Sequence, residues 1–404
     1  MQLPFLAPRE NIEIVTGPLQ PQRVNPSTLL GFLSSLHGVN HFYQLILPAL
    51  LPLVVSDFRI SYQQAGLLIG SFTVSYGSSQ LILGRYSDRL GRRRLLTFGV
   101  VVLALTTLAA AFARGFEDLL MIQLAAGVGG STYHPLGPPM IMDTVKAERR
   151  GFAMGVHSTG GALGSFISPF AAAAVASLFG WRGAFMGLAG VGVLIAVLYW
   201  FTNSEVKVES AQKPSYTKVL ANRRLIYFII GLSLFSAAFY GLAFFTTSFA
   251  STAYGLDIVS AAALLAALQV GGIFSAPAFG ALSDRVGKPL IVFVLIAVGS
   301  VSLYALSAAS VPLLAMLFII IGMSVFGTFA VTDALVPEIV PPYLRTTAYG
   351  VYIAVVFLLT MVVSPLVGYL IDNFGFAWAL ATLTIIMLTA IPPLLGVFTK
   401  GAKA

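Results

Sequence analysis

Four side chains that can handle protons, anions or metal ions lie at helical spacing within one apolar stretch. His37, Asn40, His41 and Gln44 occupy positions i, i+3, i+4 and i+7, so they share one face of a helix. The rest of segment 29–55 is largely apolar, and polar groups in such a segment are costly unless they face water or a polar neighbour. These residues therefore mark a candidate site, whose chemistry depends on the imidazoles.

All four histidines of the chain lie in its first half: His37, His41, His134 and His157. A rise of about 1.5 Å per helical residue places them in one layer. Imidazoles exchange protons near neutral pH, and protonated imidazoles can bind an anion. An i, i+4 pair with a third imidazole, here His37, His41 and His134, could instead bind zinc or a similar ion. The remaining alternative is hydrogen bonding between helices, which we favour for His157 alone.

The composition places these residues in a membrane. The chain is 57% hydrophobic and only 9% charged, with a mean hydropathy of +0.90, whereas soluble domains carry about 25% charged residues. A helix needs about 20 apolar residues to cross the hydrocarbon core. Twelve segments meet this length, at 29–55, 61–83, 94–113, 117–142, 151–178, 183–202, 225–252, 258–279, 289–309, 311–336, 347–372 and 376–398.

The formal charge of +8 is explained by the orientation of these spans. All but three of the 23 Lys and Arg residues fall on one side of the twelve spans, the exceptions being Arg59, Arg114 and Arg182. Basic residues concentrate on the cytoplasmic side of membrane proteins. We therefore expect a multi-pass inner-membrane protein with both termini cytoplasmic, and we exclude nucleic acid as a partner.

The sequence also repeats itself at a spacing of 195–196 residues. GRYSDRLGRRRLL (84–96) recurs as GALSDRVGKPLIV (280–292), Arg149 aligns with Arg345, and the pair Ser168-Pro169 aligns with Ser364-Pro365. Parallel repeats of this kind are typical of transporters that bind substrate between two halves. The predicted organisation is a cytoplasmic tail (1–28), a six-helix half (29–202), a cytoplasmic linker (203–224), a second six-helix half (225–398) and a short cytoplasmic tail (399–404).

GRYSDRLGRRR resembles the signature of the major facilitator superfamily between its second and third spans. His37, Asn40, His134-Pro135 and the run HSTGGALGSFISP (157–169) further resemble the fosmidomycin-resistance type of efflux protein. That type tends to have an acid where this sequence has His41, and a glutamine where it has His157.

The resemblance implies an all-α membrane fold of twelve helices in two pseudo-symmetric six-helix bundles. It implies a proton-coupled antiporter that exports a small anionic or amphiphilic organic compound by alternating access. Import of a nutrient, an organic acid or a metal chelate remains an alternative, and a non-transporting sensor is less favoured. No motif indicates an enzyme, and we expect no cofactor beyond the proton gradient. The expected partners are a small-molecule substrate and membrane lipid, with the protein as a monomer.

Three groups of residues follow as candidates. Spans 1, 4, 7 and 10 line the central cavity in this fold, and Asp333 is the one acid placed inside a span. The expected substrate and proton residues are His37, Asn40, His41, Gln44, Tyr133, His134, Ser233, Ser236, Tyr240, Thr328, Thr332 and Asp333.

The second group is the small-residue face of span 5. It indicates either an antiporter-like signature or ordinary helix packing. Its residues are His157, Gly160, Gly161, Gly164 and Pro169.

The third group is the repeated loop motif, which we interpret as a gate rather than only a solvated basic loop. Its glycines permit tight turns, and Asp88 could pair with a basic group or cap a helix. Asp143 and Glu338 are 195 residues apart and are the expected partners of the loop arginines. The gate residues are Gly84, Asp88, Arg89, Gly91, Arg92, Asp143, Arg149, Gly280, Asp284, Arg285, Gly287, Glu338 and Arg345.

Overall fold

The computed structural model describes residues 25–203, 216–333, 335–341 and 344–399, with side chains except at 84–89, 147, 276, 337 and 346. In these ranges the chain is a succession of helices. They are α1 (Pro26–Phe58), α2 (Tyr62–Leu90), α3 (Arg92–Ala110), α4 (Phe116–Gly130), α5 (Tyr133–Thr144), α6 (Arg150–Thr202), α7 (Tyr216–Ala221), α8 (Arg223–Tyr254), α9 (Ile258–Val286), α10 (Lys288–Ala305), α11 (Val311–Asp333), α12 (Val336–Ile339), α13 (Arg345–Phe374), α14 (Phe376–Leu388) and α15 (Ile391–Thr399).

These helices supply the twelve expected spans. Within the described ranges, nine helices are long and apolar enough to cross a membrane by length and composition. One of them, α6, reverses direction at Gly180 and therefore supplies spans 5 and 6. The other two spans are α2, whose composition is more polar, and the pair α4 and α5. Span 12 is similarly divided into α14 and α15.

Span 4, expected as one helix at 117–142, is interrupted between α4 and α5. Pro135 has no N–H and cannot donate to the carbonyl of Ser131, one turn earlier. The interruption falls just before it, at Ser131 and Thr132, where the backbone N–H of Thr132 donates to Gly129 instead. The break leaves the carbonyl of Gly130 at the end of α4, next to His134 in the first turn of α5.

The repeat predicted from the sequence is present in the backbone conformation. In the described residues, the positions with positive φ form three pairs separated by 195 or 196 residues, and each pair occupies equivalent turns of the two halves. At Gly180 and Gly375, which join spans 5 to 6 and 11 to 12, φ and ψ are 71° and 171° against 82° and 174°. The other pairs are Arg59 with Gly255 and Gly91 with Gly287.

Ion pairs at the start of α3 and α10 follow the same repeat. Arg92 Nη1 lies 2.7 Å from Asp143 Oδ2, and Lys288 Nζ contacts Glu338 Oε1. Each pair lies within one half of the molecule. Asp143 therefore pairs with a loop arginine as expected, whereas the partner of Glu338 is Lys288, the residue that aligns with Arg92. Both pairs stabilise their own half internally.

The alignment of Arg149 with Arg345 is wrong by one residue. Arg150 Nε donates to the carbonyl of Val145 at 3.3 Å, and Arg345 Nε donates to that of Val340 at the same distance. Val145 and Val340 each follow the last residue of the helix that precedes a new span. In each half, the guanidinium therefore bridges the turn between that helix and the span. Arg149 lies in the short 3₁₀ turn before α6.

The two halves meet along α2 and α13. A Cβ added at Gly66 would overlap the backbone of Ser364 and would lie 2.6 Å from Pro365 Cα, and one at Gly77 would lie 3.0 Å from Phe357 Cβ. Such close approach needs glycine on one side of the interface. The backbones of the two halves therefore lie close together along the first half of α2, from Tyr62 to about Gly77.

Candidate functional site

The four histidines form one cluster between α1, α5 and α6, hereafter the histidine cluster. The His37 and His157 rings stack with centroids 4.1 Å apart. His41 and His134 lie 4.7 Å and 5.2 Å from His37, and 5.6 Å from each other. The single layer expected from the sequence is therefore a set of rings in mutual contact.

Carbonyl partners determine where the protons lie in two of these rings. His37 Nδ1 lies 2.9 Å from the carbonyl oxygen of His157, which can only accept, so Nδ1 carries the hydrogen. The Tyr133 hydroxyl donates its one hydrogen to the carbonyl of Leu33, so its oxygen accepts from His157 Nδ1 at 3.1 Å. In the neutral state both rings therefore have a free lone pair on Nε2.

His37 and His41 share one hydrogen between them. Their Nε2 atoms lie 3.1 Å apart. Because Nε2 of neutral His37 has only a lone pair, His41 Nε2 donates to it. If a further proton bound to His37 Nε2, two N–H bonds would point at each other, so either the pair would separate or the hydrogen of His41 would move to its Nδ1. Protonation of the histidine cluster is thus linked to a change in the arrangement of its rings or of their hydrogens.

Asn40 does not face an open cavity as expected, because all its polar atoms have protein partners. Its Nδ2 donates to the carbonyl of Gly130 at 2.8 Å, which satisfies the group left by the break in span 4. Its Oδ1 accepts from Gln44 at 2.8 Å and from Tyr76 at 3.4 Å. At 1% exposure, Asn40 supports the interruption that places His134 beside the other histidines.

A cleft beside these residues, the Gln44 cleft, extends away from the histidine cluster. It is mainly apolar, with a few polar side chains, as is usual for small-molecule sites. Aromatic rings from both halves contribute to it. Its lining includes Tyr43, Gln44, Thr106, Gln123, Phe244 and Phe357.

Most of the C-terminal candidates do not meet the histidine cluster in the structure. Thr328 and Thr332 donate to carbonyls of their own helix, as does Ser236, and all three are buried. Ser233 Oγ is buried with no hydrogen-bond partner in the described part of the chain. These residues pack spans 7 and 10.

Asp333 is the last residue of α11, so it lies at the end of its span rather than deep within it. Its carboxylate accepts a hydrogen bond from Tyr349 on α13. In the described contacts it does not meet the histidine cluster.

An aromatic bridge, which the sequence did not reveal, links the histidine cluster to the C-terminal half. It consists of Tyr76 on α2, Phe357 on α13 and Tyr240 on α8. The Tyr76 ring lies 6.4 Å from that of His134 and 4.5 Å from that of Phe357, which lies 5.7 Å from that of Tyr240. Aromatic residues are common in spans, so only the packing identifies Tyr76 and Phe357, whereas Tyr240 is already a candidate from the sequence.

A second group of contacts joins the halves at the face with few basic residues, the basic-poor face. The two carboxylate oxygens of Asp372 accept from the backbone N–H groups of Tyr62 and Gln63, each at 2.8 Å. The Tyr62 hydroxyl lies 2.7 Å from Thr252 Oγ1. Asp372 thus caps α2 of the N-terminal half from α13 of the C-terminal half. No sequence motif predicts this contact.

The loop motif is described only in part. Gly84, Asp88 and Arg89 lie in α2 but outside the residues whose side chains are described. Gly91 and Gly287 take positive φ at the turns into α3 and α10, as a glycine permits. Asp284 and Arg285 are exposed on the opposite, basic-rich face, in the last turns of α9 with Gly280. The role of the motif as a gate stays a prediction.

The small residues of span 5 bring α6 against α1. A Cβ at Gly160 would overlap the carbonyl of Ser34, and one at Gly164 would overlap that of Gly38. One at Gly161 would lie 2.5 Å from the His37 ring. These three glycines therefore position the histidine cluster, and Pro169 follows them within α6.

Comparison with known proteins agrees with this architecture. The family model described as Major Facilitator Superfamily matches residues 32–352. A Haemophilus influenzae protein whose name assigns it to metabolite transport is 26% identical over 373 residues, covering 87% of this chain and 90% of its own. The fosmidomycin resistance protein of Escherichia coli is 22% identical over 326 residues, covering 78% and 79%.

A solved structure shares the fold. It is a bacterial homologue of the human lysosomal transporter Spinster, in an inward-facing and occupied conformation. It superposes with a TM-score of 0.79 at 18% sequence identity, covering 92% of this chain and 96% of the other. With this fold, its repeated halves and the family match over most of its length, the chain belongs to the major facilitator superfamily and is a multi-pass membrane transporter rather than an enzyme.

Proposed function

We propose that this protein is a proton-coupled antiporter of the inner membrane that exports a small anionic or amphiphilic organic compound by alternating access. Its basic-rich face would be cytoplasmic, with both termini on that side. The chain would act as a monomer.

The observation that carries proton coupling is the geometry of the histidine cluster. Its titratable neighbours on the surrounding helices are Tyr133 and Tyr76. Because His37 and His41 hold one hydrogen between Nε2 atoms 3.1 Å apart, uptake of another proton would either separate the two rings or shift the His41 hydrogen to Nδ1. His134 contacts both histidines and also Tyr76 of the aromatic bridge, so this movement would reach the interface between the halves. Proton binding can then favour one of two arrangements of the halves.

The proposed substrate class is supported by the lining of the Gln44 cleft and by the neighbouring histidine cluster. The cleft offers apolar and aromatic surface with a few amide and hydroxyl groups, which suits an amphiphilic compound. The cluster supplies positive charge only when an imidazole is protonated. An anion bound together with a proton would be carried in the same direction as that proton, so antiport requires that the substrate occupy the cleft while the cluster is neutral.

The direction of transport is supported by the name of the Escherichia coli relative, which describes resistance to fosmidomycin. The name of the Haemophilus influenzae relative gives metabolite transport without a direction, so import of a nutrient, an organic acid or a metal chelate is the alternative. Both functions use the same site and differ in which face takes up the substrate.

The test is flux in proteoliposomes under an imposed pH gradient, with fosmidomycin as the first substrate probe and an internal pH dye to record protons. Wild type should move the probe and protons in opposite directions. His41→Gln should lose the dependence of flux on the gradient, whereas Asp333→Asn should keep it, because the described partner of Asp333 is Tyr349 and not a histidine. Full gradient-driven flux in His41→Gln would show that the cluster does not couple transport to protons. Movement of both in the same direction would identify an importer.

A further inference from the structure

Three of the four histidines present nitrogen atoms to one another at the spacing of a metal site. One ring nitrogen from each of His37, His41 and His134 lies within 4.8 Å of the other two. Zinc binds imidazole nitrogen at about 2.0–2.1 Å in a tetrahedral arrangement, which separates two such nitrogens by roughly 3.3 Å. The Nε2 atoms of His37 and His41 are already 3.1 Å apart.

The orientation of His37 is that of a metal ligand. Histidines that bind metals donate their other ring N–H to a carbonyl or carboxylate, which fixes the tautomer and directs the lone pair toward the ion. His37 Nδ1 donates in this way to the backbone carbonyl of His157 at 2.9 Å. Because this partner is a main-chain atom of α6, it does not depend on the His157 side chain.

A hydrogen bond between His37 and His41 explains their separation but not the position of His134. That ring comes from another helix, α5, which begins just after the interruption of span 4, where Asn40 binds the freed carbonyl of Gly130. The fold thus brings a third imidazole to a pair that is already satisfied by its own hydrogen bond. A metal ion bound by all three rings would account for the position of His134.

The donor set decides which ions can bind. Three neutral imidazoles suit zinc, copper, nickel and cobalt, whereas magnesium and calcium require oxygen ligands. The chain has no cysteine, so thiolate sites are excluded. Three protein nitrogens leave one position of a tetrahedral ion open for water or an anion.

We propose that His37, His41 and His134 form a binding site for a divalent transition-metal ion of the zinc class. Binding requires that His41 Nε2 give up its hydrogen, which moves to Nδ1 of the same ring, so that all three ligands stay neutral and no proton is released overall. The site goes beyond the proposed transport function and does not depend on it. Because metal and protons would use the same Nε2 lone pairs, an ion at this site would also block the proton chemistry described above.

The test uses the full-length protein, purified in detergent without a polyhistidine tag, with Co²⁺ as a spectroscopic probe and Zn²⁺ as a competitor. Wild type should bind one Co²⁺ per chain, with the intense visible absorption of a tetrahedral nitrogen-rich site, and Zn²⁺ should abolish this absorption. His41→Gln and His134→Gln should each raise the Kd by more than about 100-fold, beyond the 10–100-fold typical of changes next to the ligands.

His157→Asn is the matched control. It removes a histidine of the same cluster, yet asparagine can still donate to Tyr133, and the carbonyl that orients His37 is unchanged. Its Kd should equal that of wild type. A monodisperse elution peak and the thermal unfolding of each variant report whether it is folded. Because the two ligand variants lie on different helices, the test still stands if one of them fails to fold.

Absence of stoichiometric Co²⁺ or Zn²⁺ binding by wild type would overturn the proposal, as would an equal loss of affinity in His157→Asn and the ligand variants. Either result leaves the transport proposal untouched, because binding is measured without flux.

Discussion

Replacement of Asp372 by alanine should separate the two halves of the molecule at the basic-poor face. The Asp372 carboxylate accepts two backbone hydrogen bonds from Tyr62 and Gln63 at 2.8 Å each, across the boundary between the halves. Hydrogen bonds to charged groups contribute about 1.5–3 kcal/mol each when shielded, and helix caps about 0.5–2 kcal/mol. Because Asp372 is exposed, we take about 1–2 kcal/mol for the whole contact, which changes the ratio of closed to open molecules by roughly 5–30-fold.

The absence of cysteine in the chain makes this change directly measurable. Ser56→Cys on α1 and Ala253→Cys on α8 place exposed labelling sites in opposite halves at this face. Spin labels at these two positions report the distribution of distances between the halves by double electron–electron resonance. Asp372→Ala should increase the population at long distance 5–30-fold relative to wild type, and Asp372→Asn, which keeps one acceptor, should give an intermediate value.

Asp257→Ala is the matched control. Asp257 accepts from the backbone N–H groups of Val259 and Ser260 at 2.9 and 3.0 Å, so it caps α9 with the same chemistry but within one half. Its loss should lower the thermal stability without changing the distance distribution. Hydrogen bonds from Ser260 hold the pKa of Asp257 below its ordinary value of 3.8, so the stabilisation is complete above pH 3.8 and is lost as the pH falls through the lower pKa of the folded state. The difference in thermal stability between wild type and Asp257→Ala should therefore disappear in strong acid.

Unchanged distances in Asp372→Ala would refute the assignment of this contact as a latch between the halves. The same distance change in Asp257→Ala would show that any weakened helix cap loosens the fold, and that Asp372 has no special role.

Further predictions concern single substitutions, and each is measured as the free energy of unfolding in detergent. Gly164→Ala should disrupt the packing of α1 on α6 and lower stability by about 1–3 kcal/mol, whereas Gly155→Ala, whose Cβ would have no atom within 4 Å, should not; equal effects would contradict the packing role. Asn40→Leu should cost about 1–3 kcal/mol because the buried carbonyl of Gly130 loses its partner, and a neutral result would mean that the break in span 4 needs no support. Arg59→Gly should stabilise the protein by about 0.5–1 kcal/mol, since Arg59 has a φ of 51° and the left-handed conformation is strained for arginine; destabilisation would reveal a role for its side chain.

Features that depend on periodicity along the chain could be predicted from the sequence. Apolar length gave the twelve spans, and helical spacing with depth placed His37, His41, His134 and His157 in one layer, where the structure has them in contact. The partnership of Asp143 with the basic loop followed from the repeat. These predictions succeed because a helix fixes the geometry of residues near one another in sequence.

Features that depend on how helices meet could not be predicted. Asp372 and Tyr62 lie 310 residues apart, and only the contact of α13 with α2 brings them together. The misplaced Arg149 has a simpler cause. The repeat spacing is 196 residues at Gly91 but 195 at Asp143, and this one-residue difference between the halves places Arg150 at the position expected for Arg149.

The three pairs of turns with positive φ show which parts of the repeat tolerate divergence between the halves. Side chains of two repeated halves can differ wherever packing allows. A turn that needs positive φ restricts that difference, because most residues other than glycine are strained there. Gly91 with Gly287 and Gly180 with Gly375 have glycine in both halves, whereas Arg59 and Gly255 share only the backbone conformation. At Arg59 the shape of the turn is therefore more constant between the halves than the residue that forms it.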